Sequence, residues 1–399
     1  MQSITINNSF VSGTLDAITS KSYAHRLLIC AFISGEELSL NNYTLSKDIV
    51  ATFNALIALK KGETMLDAGE SGSTLRFLIP LVSALGGNYQ IKMHGKLSER
   101  PNDDLYNALK EGGVNAYTKG DTVFVSGKLS AGEYEISADK SSQYLSGLIM
   151  ALSMLAKESK IKVTTPISSE PYVDITLSVL ASYGYTVIKE NNNFIIKGKT
   201  AEKLKPTCEG DWSNSAFFLV AGAINGDITV SNLDINSSQG DKEIFNVLLK
   251  ANADIKLENG GVRVKKSKLK GFTVSVENCP DLAPICAVLG AYCKGETVIT
   301  DIERLRLKES DRVQSTISML KNCGVSAYQK NNSIIIKGGT VLGGEISAFN
   351  DHRIVMSGAV LALGSNNGVK INGSEAVQKS YPEFFTDLQK LGGKISAKI

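Results

Sequence analysis

Asn350-Asp351-His352-Arg353-Ile354-Val355-Met356-Ser357-Gly358-Ala359-Val360-Leu361-Ala362-Leu363 sets four polar side chains directly against a long apolar run. The run is apolar on nearly every side of a helix rather than along one stripe, the pattern of a helix buried all round. Its polar start lies where such a helix offers unpaired N–H groups and a partial positive charge. The same arrangement occurs six times in the chain. Ser20-Lys21-Ser22-Tyr23-Ala24-His25-Arg26 runs into LLICAF, and Glu70-Ser71-Gly72-Ser73-Thr74-Leu75-Arg76 into FLIPLVSAL. Lys140-Ser141-Ser142-Gln143 runs into YLSGLIMALSML, Asp211-Trp212-Ser213-Asn214-Ser215 into AFFLVAGAI, and Cys279-Pro280-Asp281 into LAPICAVLGAY. The last four clusters begin near residues 141, 211, 281 and 351, a period of about seventy that marks one supersecondary unit copied several times.

Each copy carries a second, amphipathic helix, expected over 48–60, 102–111, 173–183, 241–250, 309–322 and 382–391. Gly62, Gly112, Gly184, Gly324 and Gly392 suit left-handed caps for these helices. Hairpins follow, pairing 114–117 with 123–125, 186–188 with 194–196, 255–257 with 262–264, and 325–328 with 334–336. Their turns are Lys119-Gly120-Asp121, Asn191-Asn192-Asn193, Asn259-Gly260-Gly261 and Asn331-Asn332. The unit therefore reads β-α-β-α-β-β, six times over, with a break near Lys203-Leu204-Lys205-Pro206 that gives two halves of three units. The fold class expected is α/β (α+β), with the polar helix starts gathered at one end of each half. Two such ends facing each other would line a cleft suited to anions.

Composition excludes several classes. The chain of 399 residues is 43% hydrophobic with a net charge of +3 and no basic tract, so nucleic acid is not implied as a partner. The start Met1-Gln2-Ser3-Ile4-Thr5-Ile6 lacks an export-signal pattern, and the apolar stretch 144–156 is too short to span a bilayer. A soluble, cytoplasmic protein is expected. The six cysteines form no CxxC pair, and Cys286 and Cys293 read as core. His25, His94 and His352 are too scattered for a metal centre. Only eight of the 43 basic residues are arginine, and all but Arg263 lie in or beside the polar clusters. An arginine fork matches carboxylate or phosphate in a way lysine cannot, which points to an anionic ligand.

A further charged stretch, Leu307-Lys308-Glu309-Ser310-Asp311-Arg312, opens the second helix of the fifth copy. A lysine beside a glutamate, with an arginine one turn on, can hold an anion and move a proton next to it.

Taken together these clusters resemble the enolpyruvyl transferase family. The matching residues are Lys21-Ser22 with Arg26, Gly72-Ser73 with Arg76, Glu99-Arg100-Pro101, Ser141-Ser142-Gln143, Ser169 with Pro171-Tyr172, Asp281, Lys308-Glu309-Ser310-Asp311-Arg312, Asn350-Asp351-His352-Arg353 and Lys379. They span the chain from end to end. The resemblance implies two domains of three units each, an inside-out α/β barrel type with the active site in the interdomain cleft. It places 14–205 in the first domain and 1–13 with 206–399 in the second. It implies transfer of enolpyruvate from phosphoenolpyruvate to the 5-hydroxyl of 3-phosphoshikimate, without metal or organic cofactor, by a monomer on the route to aromatic amino acids. A sibling branch acts on UDP-N-acetylglucosamine. That branch carries Lys-Asn where this chain has Lys21-Ser22, and a loop cysteine that the corresponding segment 94–101 lacks.

The implied roles are as follows. Lys21, Ser141, Ser142 and Ser169 bind the shikimate phosphate, Ser22 and Arg26 its carboxylate, and Tyr172 and Gln143 line the ring. Arg312 and Arg353 hold the phosphoenolpyruvate carboxylate, while Lys21, Gly72, Arg100, Gln143 and Lys379 hold its phosphate. Asp281 takes the 5-hydroxyl proton, Glu309 gives and retrieves a proton at C3, and Lys308 orients the hydroxyl. Asp281 at a helix start also fits a plain N-cap. Arg76 is open to pairing or ligand contact, and the direction of Arg304 is open too. Trp212 reads as packing, and His25 and His352 as scaffold for the adjacent arginines. Phe77 stands where many relatives have proline. Because the family's glyphosate-governing loop keeps Gly72, sensitivity to that inhibitor is expected.

Overall fold

The computed structural model describes residues 2–204, 206–258 and 260–398. Lys205 of the expected break and Asn259 of one expected turn lie outside the described residues, as do Met1 and Ile399. The chain divides into two compact units. Lys21–Cys208 forms the first unit, and residues up to Ser20 together with those from Glu209 on form the second. Each has its own hydrophobic core.

The helices of the first unit are α1 (Lys21–Ile33), α2 (Lys47–Lys60), α3 (Gly72–Leu85), α4 (Asp103–Glu111), α5 (Ser142–Leu152) and α6 (Pro171–Ser182). Those of the second are α7 (Trp212–Asn225), α8 (Glu243–Lys250), α9 (Ala283–Ala291), α10 (Arg312–Asn322), α11 (His352–Ala362) and α12 (Phe384–Lys390). The odd-numbered helices are the apolar ones. α7 is buried at all 14 residues and α9 at all 9, and neither contains a charge to oppose burial. The even-numbered helices bury one face, as α8 does with Ile244, Val247 and Leu248 at helical spacing. Buried helix starts need acceptors for their free N–H groups. Ser71, Ser141, Asp211 and Asp351 supply them, accepting from the N–H of Thr74, Gln143, Asn214 and Arg353.

The described residues form five sheets of four strands. In the sheet of α3 and α4, Met65–Asp67 and Gly87–Lys92 run parallel across the α3 crossover. The hairpin Val114–Lys119/Thr122–Gly127 then completes the sheet, its second strand against Gly87–Lys92. The sheet of Glu133–Ile136, Ser159–Val163 and the hairpin Tyr185–Glu190/Asn193–Lys199 repeats this order. Two N-terminal strands complete sheets of the second unit. β1 (Ser3–Asn7) sits between Val369–Asn372 and Lys394–Lys398, and β2 (Val11–Asp16) lies parallel to Gly226–Ser231.

Three expectations need correction. The first copy, α1 with α2, has no four-stranded sheet among the described residues. Its helices are joined by a segment that turns at Gly35 and near Asn41-Asn42 and forms no strand. The cap after α4 is left-handed at Gly113 (φ +86°), not at Gly112 (φ −84°). Finally, α10 begins at Arg312 rather than Glu309, because Asp311 is its N-cap and accepts from the N–H of Val313 and Gln314. Smaller shifts put α8 after a 3-10 turn over Gly240–Lys242 and start α12 at Phe384.

Ile6 on β1 is fully buried in the middle of its sheet. Ile6→Ala is expected to cost about 2–4 kcal/mol of stability by cavity formation, read by urea unfolding. A loss below about 0.5 kcal/mol contradicts the central placement of β1.

Candidate active-site groups

In the first unit, arginines bind the helix starts together. Arg76 on α3 donates from Nη1 to the Gln143 Oε1 (2.8 Å), from Nε to Asn102 Oδ1 (3.1 Å) and from Nη2 to the Pro101 carbonyl (3.1 Å). The Gln143 amide in turn donates to Ser73 Oγ at 2.8 Å. Arg76 thereby joins the α3 start, the α5 start and the Arg100–Asn102 stretch, and its guanidinium lies over the Tyr144 ring. Arg26 joins α1 to α6, donating to Thr176 Oγ1 (2.7 Å), the Ser22 carbonyl (2.8 Å) and the Tyr172 carbonyl (2.9 Å). Burial pushes its pKa down to about 10. Phe77 lies under this guanidinium and against the His25 ring, which gives the aromatic at that position a supporting role.

Lys21 opens α1 and pairs with Asp48 at 2.7 Å. The Asp48 carbonyl accepts from Thr74 Oγ1, which also bonds Thr52 and the Ser71 cap. His25 Nδ1 meets Thr52 at 2.7 Å, and burial first, then Lys21 and Arg26, holds this imidazole well below its usual pKa. Gly72 is the first residue of α3, and a Cβ there would stand 2.8 Å from Arg100 Nη1. The structure thus packs the Arg100 fork onto the α3 start. Ser141 and Ser142 are buried at the α5 start. Ser169 is buried with φ +53°, a left-handed serine just before the Pro171 that opens α6, with Tyr172 next to it. Such a backbone costs on the order of 1–3 kcal/mol and clusters at functional sites.

In the second unit, Arg312 meets three carboxylates. Its Nη1 donates to Asp281 Oδ1 (2.6 Å), Nη2 to Glu309 Oε2 (2.6 Å) and Nε to Asp351 Oδ2 (2.8 Å). Arg353 donates to Asp281 Oδ2 (3.2 Å) and to the Ser213 carbonyl (3.1 Å), so the starts of α7 and α11 meet the turn before α9. Lys308 Nζ lies 3.8 Å from Asp281. Asp281 sits in a 3-10 turn and makes no cap bond; three cations surround it instead. Burial alone would raise its pKa, but Arg353, Arg312 and Lys308 outweigh that and hold it well below the usual carboxylate range. Burial lowers Lys308 to about 8. Lys379 is buried and donates to the Asn350 carbonyl at 2.8 Å.

Several groups went unassigned by sequence reasoning: Asp48, Ser73, Ser310 and above all Asp351, which is fully buried. The NDHR motif contains Asp351, but its partner Arg312 is 39 residues away. Arg304 faces Glu277, Arg306 pairs with the Asp311 cap, and Trp212 is buried with its indole N–H on the Asp234 carbonyl.

The family model described as EPSP synthase (3-phosphoshikimate 1-carboxyvinyltransferase) matches residues 58–388. The chain belongs to the EPSP synthase family. It is similar to the 3-phosphoshikimate 1-carboxyvinyltransferase of Clostridium kluyveri, 37% identical over 419 residues covering 99% of this chain and 98% of that protein. The protein of that name from Clostridioides difficile is 34% identical, covering 99% and 98%. Among solved structures, an EPSP synthase from Acinetobacter baumannii matches with TM-score 0.80 and 25% identity over 99% of this chain and all of that one. The enolpyruvyl transferase NikO from Streptomyces tendae shares the fold, with TM-score 0.76 at 14% identity over all of this chain and 98% of that one. No helix among the described residues is long and apolar enough to cross a membrane.

Gly72→Ala is expected to displace the Arg100 guanidinium from the α3 start and to leave the urea midpoint unchanged, since only the far end of a flexible side chain gives way. A crystal structure of the variant with an unmoved guanidinium contradicts the packing described.

Proposed function

We infer that this chain transfers the enolpyruvyl group of phosphoenolpyruvate to the 5-hydroxyl of 3-phosphoshikimate, releasing phosphate, in aromatic amino acid biosynthesis. One observation carries the catalytic reading beyond family membership: Asp281 and Glu309 both sit on the Arg312 guanidinium, beside Lys308. A carboxylate that only locked Arg312 could stay buried, as Asp351 does, whereas Asp281 and Glu309 are 22% and 20% exposed, where they repel an anionic ligand. Proton transfer needs them.

The first-unit groups Lys21, Ser22, Arg26, Ser141, Ser142, Gln143, Ser169 and Tyr172 hold 3-phosphoshikimate in this reading. Lys21, Gly72, Arg100, Gln143 and Lys379 take the phosphate of phosphoenolpyruvate. Its carboxylate takes Arg312 and Arg353. That exchange removes cations from Asp281, which makes the carboxylate a better base as the 5-hydroxyl arrives. Displaced from Arg312 by the substrate carboxylate, Glu309 takes up a proton from solvent; the hydroxyl oxygen then bonds to C2 and its proton passes to Asp281, while C3 receives the proton from Glu309. The tetrahedral intermediate then returns a C3 proton to Glu309 and expels phosphate, which carries away the proton held by Asp281. Lys308, as a cation, orients the hydroxyl. The enzyme works as a cytoplasmic monomer in this reading. The sibling reaction on UDP-N-acetylglucosamine is disfavoured, since segment 94–101 holds no cysteine.

Phosphate release from phosphoenolpyruvate is expected with 3-phosphoshikimate and not with UDP-N-acetylglucosamine; the reverse pattern would sink the assignment. Glu309→Gln should abolish exchange of the C3 protons while both substrates still bind, and full turnover in that variant would remove Glu309 from its role. Lys308 is a cation below about pH 8 and neutral above it. The profile of kcat/KM should therefore fall on its alkaline side near that pH, and Lys308→Arg should move the fall upward. An unshifted limb in Lys308→Arg assigns the fall to another group.

A further inference from the structure

The carboxylate of Asp351 does more than a helix cap requires. Its Oδ1 accepts from the Arg353 N–H at 2.9 Å, which is the cap, and more weakly from Arg312 Nη2 at 3.4 Å. Its Oδ2 accepts from Arg312 Nε (2.8 Å) and from Ser310 Oγ (3.0 Å). α3 and α5 obtain their caps from the neutral Ser71 and Ser141, so capping alone does not call for a buried charge. The turn that delivers Asp351 holds two successive left-handed residues, Phe349 (φ +51°) and Asn350 (φ +57°), and a bulky aromatic adopts that conformation only under constraint.

The three carboxylates on Arg312 differ in access. Asp351 is 0% exposed, whereas Asp281 and Glu309 are 22% and 20% exposed. The Nε edge of the guanidinium, Nε with one Nη2 hydrogen, is thus anchored on Asp351 inside the protein, while Nη1 and Nη2 make their shortest bonds, both 2.6 Å, with the two reachable carboxylates. We propose that Asp351, oriented by Ser310, is a positioning residue: it holds the Nε edge of Arg312 so that both prongs stay aimed while a substrate carboxylate replaces Asp281 and Glu309 on them. This rests on the reaction proposed above. Without the anchor, the departure of two carboxylates for one would leave Arg312 free to follow either.

Asp351→Asn keeps a cap acceptor for the Arg353 N–H, asparagine being as good an N-cap as aspartate, but removes the charge facing Arg312 Nε. The expected result is a rise of at least tenfold in KM for phosphoenolpyruvate, with KM for 3-phosphoshikimate within twofold of wild type. Ser310→Ala should raise the first constant two- to fivefold and leave the second alone. Calorimetric titration of phosphoenolpyruvate onto each protein with 3-phosphoshikimate present should show the same ranking. An unchanged KM for phosphoenolpyruvate, or an equal loss for both substrates accompanied by a lower melting temperature, overturns the proposal. If Asp351→Asn does not fold, Ser310→Ala decides by the same split. Wild-type protein that shows no turnover in this assay fails the reaction itself, and absence of calorimetric binding then overturns both. Wild-type turnover with an unaltered Asp351→Asn overturns the positioning role alone.

Discussion

Arg312 is a buried cation with three carboxylates around it, and much of the second unit is placed by that contact. Taking a guanidinium out of water costs several kcal/mol unless its donors are met, and removing one partner of such a pair costs about 3–5 kcal/mol. The partners come from three separate stretches: the 3-10 turn at Asp281, the bend before α10, and the turn before α11. Arg353 adds the α7 start through the Ser213 carbonyl. A shift in any of these segments leaves a charge unmatched, so the helix starts are locked to one another rather than merely packed.

The first unit uses the same device with neutral acceptors. Arg76 and Arg26 reach amide, hydroxyl and carbonyl oxygens on separate elements, and each guanidinium rests on an aromatic ring. A planar fork can serve acceptors in several directions at once, whereas a lysine offers one flexible point charge. This accounts for arginine being reserved for the helix starts in a chain that otherwise uses lysine. Arg263 is the exception, forming a two-pronged pair with Asp227 on a sheet. Buried arginines that are already satisfied can bind a substrate only by exchanging partners. In the second unit the reachable partners are the carboxylates of Asp281 and Glu309, so under the proposed roles binding and activation are one event.

The repeat, the buried character of the first helices and the hairpins were legible because each rests on local signals: periodicity, absence of charge, and turns with left-handed Gly or Asn. The strandless first copy was not, since the periodicity reports the helices and is silent on where a copy's strands come from. The charge run over residues 307–312 concealed the cap at Asp311 and so misplaced the start of α10. Of the candidate site, the cations and carboxylates gathered at the helix starts could be named from their motifs. Asp48, Ser310 and Asp351 could not, because their work lies in contacts across 27, 41 and 39 residues that no local pattern records. Arg76 stayed ambiguous for the same reason: its partners lie on the Pro101–Asn102 stretch and the α5 start, 25 to 67 residues away.

The exchange at Arg312 is open to direct observation in a crystal structure of the Glu309→Gln protein with 3-phosphoshikimate and phosphoenolpyruvate bound. The account predicts the phosphoenolpyruvate carboxylate on the prongs of Arg312 and Arg353. Asp281 would then have left the 2.6 Å contact it makes with Arg312 in the free protein, while Asp351 stays on Nε. An Asp281 carboxylate still seated on Arg312 beside bound substrates would contradict it.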